Sequence, residues 1–339
     1  MSNQDDIAAI RTFLQSLDPA ASSRASSPLP LEQLYAPPTH VNALDPNRSL
    51  VVGNRGVGKS VWSGVLSSES HRQAVAHTYP KLGLASLDVQ LGFHESAGRV
   101  EGVAPSPAVL ASLLDQGIAA EDIWNAVLLR AVAPAINHPL PDGLEKTIQW
   151  ASESVEEAEA ILRKADWYFL SNGMTFLLVF DALDVLGGRW SVIRPLTEGI
   201  LRLALSMQGY RAMRAKVFMR TDQIKDTALF RFPDASKMRA AKVDLSWHAT
   251  ELYGLLFKLI ENNDPSRSSF SHFVKKSIGT EGELSSISDR AQQASVFSAL
   301  AGEFMGSNRR RGRTYTWVID HLADALGETT PRSFLIALQ

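Results

Sequence analysis

Three glycines, a lysine and a serine in one short segment have the types and the spacing needed to bind phosphate. The pattern is G-x-x-x-x-G-K-S, and its residues are Gly53, Asn54, Arg55, Gly56, Val57, Gly58, Lys59 and Ser60. Glycine has no Cβ, so the backbone can curl and direct successive N–H groups at phosphate oxygens. The pattern predicts that Lys59 reaches the β- and γ-phosphates of a nucleotide and that the Ser60 hydroxyl holds Mg²⁺. Val61 would begin a helix whose N-terminus completes the anion site.

Two aspartates follow the most apolar segment of the chain. The run from Met174 to Phe180 is typical of a central parallel strand, and Asp181 and Asp184 come directly after it. Asp181 has the Walker B position, where a carboxylate holds Mg²⁺ through water beside the phosphate-binding loop. Asp184 could orient the attacking water as a general base, or it could cap the next segment. The sequence leaves both roles open.

Two arginines are candidates for sensing the γ-phosphate. A predicted strand at 216–219 ends in Arg220, Thr221 and Asp222, any of which could sense the γ-phosphate. Arg220 could supply positive charge in the transition state or pair with a nearby carboxylate. Thr330 and Pro331 are suited to the N-cap and the first position of a helix. Arg332 would then lie in the first turn of that helix, where it could reach the nucleotide or remain on the surface.

The surrounding elements alternate between strands and helices up to about residue 246. Predicted strands lie at 49–52, 84–89, 174–180, 216–219 and 241–245, and predicted helices at 5–17, 121–132, 152–170 and 190–208. This order predicts an α/β fold with a parallel sheet, helices on both faces and ligands at the carboxyl ends of the strands. Further helices are predicted at 248–261, 270–278, 290–303, 315–326 and 332–338. The expected domains are an N-terminal helix with a flexible linker (1–34), a core (35–246) and an all-helical lid (247–339).

Composition limits the class of protein. Among 339 residues, 45% are hydrophobic and 21% are charged, as in soluble globular proteins. The net charge of −2 gives no overall attraction to nucleic acid or to an anionic membrane. No cysteine is present, which excludes disulfides and thiolate metal sites. The acidic N-terminus is unlike a signal peptide, and the longest apolar run is too short to span a bilayer, so we expect a cytoplasmic protein.

Together these segments resemble P-loop ATPases of the AAA+ and STAND type, within the ASCE class. The resemblance depends on Gly53–Ser60, Asp181–Asp184, Arg220–Asp222 and Pro331–Arg332. It implies a P-loop NTPase core with a helical lid, ATP and Mg²⁺ as ligands, and Arg332 as a second sensor. It also implies a nucleotide-gated switch that forms homo-oligomers or acts on an effector protein, often in bacterial signalling or anti-phage defence. Ala182 departs from the family, since many active relatives have Glu there, and this predicts slow turnover.

Several alternatives stay open at this stage. The base is predicted to be adenine because the Asn-Lys-x-Asp motif of GTPases is absent, and Tyr35 or His40 could contact it or only pack. Contacts across a subunit boundary could come from Arg55, Arg189 or Arg194. A basic cluster could bind nucleic-acid phosphates, reach a neighbouring subunit or be solvated; it consists of Arg309, Arg310, Arg311 and Arg313. The alternative functions are a nucleic-acid motor or loader, a small-molecule kinase, and a scaffold with structural ATP.

Overall fold

The computed structural model describes residues 3–18, 24–279, 289–306 and 309–339. The strands are β1 (Leu50–Gly53), β2 (Leu87–Phe93), β3 (Thr175–Phe180), β4 (Met213–Arg220) and β5 (Val243–Asp244). The helices up to β5 are α1 (Asn3–Ser16), α2 (Val41–Leu44), α3 (Lys59–Ser67), α4 (Glu69–Ala76), α5 (Pro107–Asp115), α6 (Ala120–Val132), α7 (Leu144–Glu153), α8 (Val155–Ser171), α9 (Trp190–Ser206), α10 (Thr221–Ile224) and α11 (Ala235–Ala240). After β5 come α12 (Ala249–Glu261), α13 (Asp264–Ile278), α14 (Arg290–Ala301), α15 (Thr314–Leu322) and α16 (Pro331–Leu338).

The strands form one parallel sheet in the order β2-β3-β4-β1-β5. Successive residues of β3 point to opposite faces, and both sets are buried. Phe176, Leu178 and Phe180 pack with Trp124 of α6 on one face, whereas Leu177 and Val179 pack with α3 and α4 on the other. Burial on both faces explains why this strand is apolar throughout. The predicted α/β class, a parallel sheet flanked by helices, is confirmed.

A lysine lies inside the sheet. Lys216 of β4 is fully buried, and its ammonium donates hydrogen bonds to the carbonyl oxygens of Ala43 (2.9 Å), Asp45 (2.8 Å) and Arg48 (2.8 Å). Burial lowers the pKa of Lys216 to about 7. The three bonds tie the segment that leads into β1 to the neighbouring strand.

Helices α12 to α16 enclose a separate hydrophobic cluster that includes Tyr253, Tyr315 and Phe334. Helix α1 belongs to this cluster through Ile10, and it is fixed by polar contacts as well. Asp6 pairs with His272 of α13 (2.6 Å), and the Arg11 guanidinium donates to the carbonyl oxygen of Leu300 (3.2 Å). The two ends of the chain therefore pack against each other. No helix in the described part of the chain combines the length and the apolarity needed to cross a membrane.

Several predicted boundaries were wrong. The strand predicted at 84–89 begins only at Leu87, because Leu84–Ser86 form a 3-10 turn after Gly83, whose φ is +62°. The helix predicted at 152–170 begins only at Val155, and α7, which ends at Glu153, was not predicted. The strand predicted at 241–245 has only two residues, and the helix predicted at 315–326 ends at Leu322. Helices α4 and α5 were not predicted.

The segment after α1 is bound to the helix that follows the glycine-rich loop at 53–58, which is predicted to bind phosphate. Residues 19–23 of the predicted linker lie outside the described residues. From Arg24 onward the backbone touches α3, where a Cβ added at Gly64 would lie 3.1 Å from the Arg24 carbonyl oxygen. The Ser67 hydroxyl donates to the Ala25 carbonyl (2.6 Å), and His71 Nε2 donates to the Leu29 carbonyl (2.7 Å). We call residues 24–29 the strap.

Candidate functional site

The loop after β1 has the backbone shape that its glycines predict. Gly56 and Gly58 have φ values of +82° and +103°, in the left-handed region that favours glycine. A Cβ at Gly53 would lie 2.6 Å from a methyl group of Val57, so this position also requires glycine. No atom lies within 4 Å of the place where a Cβ on Gly58 would be. The loop therefore leaves open space beside the N-terminus of α3.

Lys59, the first residue of α3, folds back over this loop. Its ammonium donates to the carbonyl oxygens of Gly53 (2.8 Å) and Asn54 (2.9 Å). Burial lowers the pKa of Lys59 to about 8, although the negative charge of Asp181 opposes this effect. The Lys59 ammonium is thus held against the loop by two backbone carbonyl oxygens. It is close enough to Asp181 for that charge to affect its pKa.

Asp181 lies at the end of β3 and is buried. Its carboxylate lies next to the Ser60 hydroxyl and the backbone N–H of Ala182. Burial raises the pKa of Asp181, while these two neighbouring groups and the Lys59 charge oppose the rise. Two segments that are 121 positions apart in sequence, at Ser60 and Asp181, therefore meet at one point. Ala182 turns the chain sharply here, with a φ of +57°.

The predicted sensor arginine of β4 binds two carboxylates. Arg220 Nη1 lies 3.2 Å from Asp184 Oδ2, and Arg220 Nε lies 2.9 Å from Asp222 Oδ1. Burial lowers the pKa of Arg220, but Asp222 and Asp184 together raise it above its ordinary value. The Leu183–Val185 turn has no side-chain cap, so Asp184 pairs with Arg220 instead of capping that turn. The pairing alternative considered for Arg220 is the arrangement observed.

These groups line one end of a cavity of about 870 Å³. Of the predicted site residues, those lining the cavity are Arg55, Gly56, Gly58, Lys59, Ser60, Val61, Asp181, Asp184, Arg220 and Arg332. Gly53, Asn54 and Val57 shape the loop without lining the cavity. Glu95, which follows β2, also lines it and was missed from sequence. The sequence indicates this role only weakly, because Glu95 lies two residues after the end of β2 and the predicted strand core ended at Val89.

The helical region touches the phosphate-binding loop at three points. A Cβ on Gly56 would lie 3.2 Å from the Cβ of Arg332, so the predicted second sensor is next to the loop. The Trp247 indole donates to the Val57 carbonyl (2.8 Å). Asn54 Nδ2 donates to two carboxylates at 2.9 Å, those of Asp324 and Glu328. Burial, followed by the charges of Asp324 and Asp244, raises the pKa of Glu328. Sequence reasoning found neither the indole nor this acidic pair.

The rest of the cavity lining comes from α1, from the segment between α1 and α2, and from the helical region. It includes polar residues such as Asp18, Glu32 and Asn262, and we call it the apolar end after its many apolar side chains. Tyr35 and Trp247 are stacked there, with ring centroids 6.2 Å apart. The other apolar side chains at this end are Phe13, Leu17, Leu34, Leu255, Leu259 and Leu335. His40 is buried outside the cavity, where Nδ1 accepts from the Trp62 indole (3.0 Å) and Nε2 contacts the Ser246 carbonyl (2.9 Å). Tyr35, and not His40, is therefore placed to contact a ligand.

The arginines predicted to contact nucleic acid or a neighbouring subunit lie on the surface, apart from Arg55. Arg309–Arg311 form an exposed 3-10 turn before α15, and Arg313 is exposed at the N-cap of that helix. Arg194 pairs with Asp226 (3.0 Å), and Arg189 is exposed. None of these residues lines the cavity, whereas Arg55 does. Nucleic-acid binding and contacts across a subunit boundary stay predictions.

In the described part of the chain, no group of three or more His, Asp or Glu side chains could hold a metal ion by itself. A metal beside Ser60 and Asp181 would need further oxygen ligands from a phosphate and from water, which is how Mg²⁺ is commonly held. Comparison with protein-family models, with curated proteins and with solved structures gave no match. Functional inference for this chain thus depends on the geometry of the cavity.

Proposed function

We propose that this chain is an ATPase that binds Mg·ATP, hydrolyses it slowly and changes conformation or oligomeric state for a partner protein. The observation that carries the proposal is that Ser60 and the buried Asp181 lie next to each other, beside the Lys59 ammonium, in the lining of one cavity. A hydroxyl, a buried carboxylate and a cation beside a glycine loop are the groups that a triphosphate and its Mg²⁺ require.

The residues present fit these ligands. The open space at Gly58 and the N–H groups of the loop suit phosphate oxygens. Ser60 and Asp181 would hold Mg²⁺, which when bound neutralises charge on the β- and γ-phosphates. Arg220 lies at the same sheet edge and supplies a second positive charge. The apolar end, with Tyr35 and Trp247, suits the flat face of a base.

The role as a switch is supported by the contacts between the helical region and the loop. Phosphate charge would attract Arg332, which touches Gly56, and would repel Asp324 and Glu328, which bind Asn54. The two groups belong to one segment, 324–332, so ATP and ADP would bias its position differently. A ligand shifts an equilibrium only by such differential contacts.

The proposal is tested by replacing the lysine. Lys59→Ala should weaken Mg·ATP binding at least about 100-fold, because the ammonium is the nearest cation to the loop. Isothermal titration calorimetry measures the affinity, and circular dichroism with thermal melting checks that the fold survives. Lys164→Ala is a matched control, since Lys164 is exposed on α8 and does not line the cavity. Normal ATP affinity in Lys59→Ala would refute the assignment of the site.

A second measurement concerns the switch. The mass of the purified particle is compared in ADP and in a non-hydrolysable ATP analogue. A change in subunit number, or in partner binding, is expected if nucleotide controls assembly. Bound ATP that is never turned over, with no change in mass or partner binding, would favour the scaffold alternative.

A further inference from the structure

We propose that Glu95 is the general base for ATP hydrolysis and that its ion pair with Arg24 of the strap holds it in a resting state. This inference deepens the function proposed above and depends on it. It starts from the position of Glu95 at the edge of the sheet. β2 and β3 are parallel and adjacent, and the Asp181 backbone N–H donates to the Phe93 carbonyl (3.0 Å). Glu95 therefore follows β2 at the level where Asp181 and Ala182 follow β3.

The cavity offers few groups that could accept a proton from water. The carboxylates lining it are Asp18, Glu32, Glu95, Asp181 and Asp184. Asp18 and Glu32 belong to the segments around α1 and Leu31–Gln33, and neither follows a strand. Asp181 lies next to Ser60, with which it would hold Mg²⁺, and Ala182 has only a methyl group. At the sheet edge this leaves Glu95 and Asp184.

The partners of these two carboxylates differ. Asp184 binds Arg220, which also binds Asp222, so Asp184 belongs to a three-residue network at the end of β4. Glu95 binds Arg24 Nε at 2.7 Å, and Arg24 lies outside the sheet, in the strap. Both side chains of this pair are partly exposed, and ion pairs of that kind are weak and open easily. Glu95 can thus be released without disturbing a strand end, whereas Asp184 is better suited to positioning Arg220.

The neighbouring histidine does not compete for this role. His94 is buried, does not line the cavity, and burial lowers its pKa.

The strap is bound to α3 and α4 through the backbone carbonyls of Ala25 and Leu29. Because α3 begins at Lys59, a movement of the phosphate-binding loop is transmitted directly to the strap and to Arg24.

In the proposed step, the Glu95 carboxylate takes a proton from a water whose oxygen forms a bond to the γ-phosphorus. The bond between the γ-phosphorus and the bridging oxygen breaks, and ADP leaves with that electron pair. The products are ADP and inorganic phosphate, and Glu95 then returns its proton to solvent. Lys59 and Arg220 stabilise the charge that develops on the phosphate oxygens.

The experiment compares wild type with Glu95→Gln, Asp184→Asn and Arg24→Ala, by phosphate release and by calorimetric titration of Mg·ATP. Glu95→Gln should lower kcat at least about 100-fold while the ATP dissociation constant stays within about threefold of wild type. Chromatography of bound nucleotide should then recover intact ATP from this variant after incubation. Asp184→Asn should lower kcat less, and Arg24→Ala should leave kcat at or above the wild-type value. Glu101→Gln, an exposed glutamate outside the cavity, is the matched control.

The outcomes separate the two proposals. A wild-type protein that does not bind ATP refutes the proposed function itself. ATP binding with unchanged turnover in Glu95→Gln overturns only the role of Glu95. A larger loss of kcat in Asp184→Asn than in Glu95→Gln also overturns the role of Glu95. The absence of turnover in both wild type and Arg24→Ala overturns it as well. A loss in Arg24→Ala as large as that in Glu95→Gln overturns the resting-state role of the ion pair.

Discussion

The two ends of the cavity are built in different ways. At the polar end, Lys59, Ser60, Asp181 and Arg220 stand at the carboxyl ends of adjacent strands or in the first turn of the helix after β1. At the apolar end, the side chains come from α1, from the segment before α2, from α12 and from α16. The first set is fixed by the hydrogen bonds of one sheet, and the second by packing between helices.

Because of this difference, we expect the phosphates and the base of a nucleotide to contribute independently to the free energy of binding. In the proposed complex, the phosphates would contact charges fixed by the sheet, whereas the base would contact side chains held by packing between helices. A substitution at one end of the cavity should therefore leave the binding of the ligand group at the other end largely unchanged. The following experiments test that separation.

The largest effect is expected from Asp181→Asn. The amide cannot supply the negative charge that holds Mg²⁺, so the gain in ATP affinity on adding Mg²⁺ should fall roughly 10- to 100-fold. Titrations with ATP in Mg²⁺ and in EDTA measure this gain, and adenosine, which lacks phosphates, is the control ligand. A variant that keeps the full effect of Mg²⁺ would show that Asp181 does not hold the ion.

The polar end should also respond to pH through Lys59. Its pKa of about 8 means that the ligand-free amine loses its proton as the pH rises above that value. Phosphate binds the charged form, so the ATP dissociation constant should increase with pH, by at most about tenfold per unit. Lys59→Arg stays charged and should give a flat profile over the same range. An equally steep rise in that variant would assign the effect to another group.

At the apolar end, Tyr35→Ala removes one of the two stacked rings. We expect ATP affinity to fall about tenfold, the loss of one aromatic–base contact, while the affinity for inorganic tripolyphosphate stays unchanged. Fluorescence competition titrations measure both ligands. Tyr168→Ala, at a partly buried tyrosine of α8 outside the cavity, is the control. Equal losses for both ligands would mean that the two ends are not separable.

The smallest effect is expected from Glu328→Gln. This change removes a negative charge close to the phosphate-binding loop while keeping a hydrogen-bond acceptor for Asn54. ATP affinity should rise about threefold at low salt and less at high salt, because exposed charges are screened. Calorimetry at two ionic strengths measures the difference. Weaker binding would instead assign Glu328 a role in organising the loop.

The polar end was largely predictable because its residues form short local patterns. Gly53 to Ser60 is one motif, and Asp181 directly follows a strand whose apolar character reflects burial on both faces. The parallel sheet was predictable because strands alternate with helices along the chain. Whether the parts of the chain before 35 and after 246 are domains of their own stays a prediction.

The apolar end could not be predicted because its residues are scattered. Phe13, Tyr35, Trp247 and Leu335 have no common spacing, and each looks like an ordinary core residue until the helices are packed. The composition of 19–30 indicated a flexible linker, but Ala25 and Leu29 contact Ser67 and His71 through backbone carbonyls, which sequence does not reveal. Glu95 was missed because its place depends on which strand neighbours β3.

Lys216 limits which part of the molecule can move. Its three bonds clamp the entry to β1 onto β4, deep in the protein and away from the cavity. Breaking them would leave three carbonyl oxygens without their donor, which costs far more than an exchange of surface contacts. The start of β1 is thus a fixed reference point. In the proposed nucleotide cycle, we expect movement of the helical region and not of this part of the sheet.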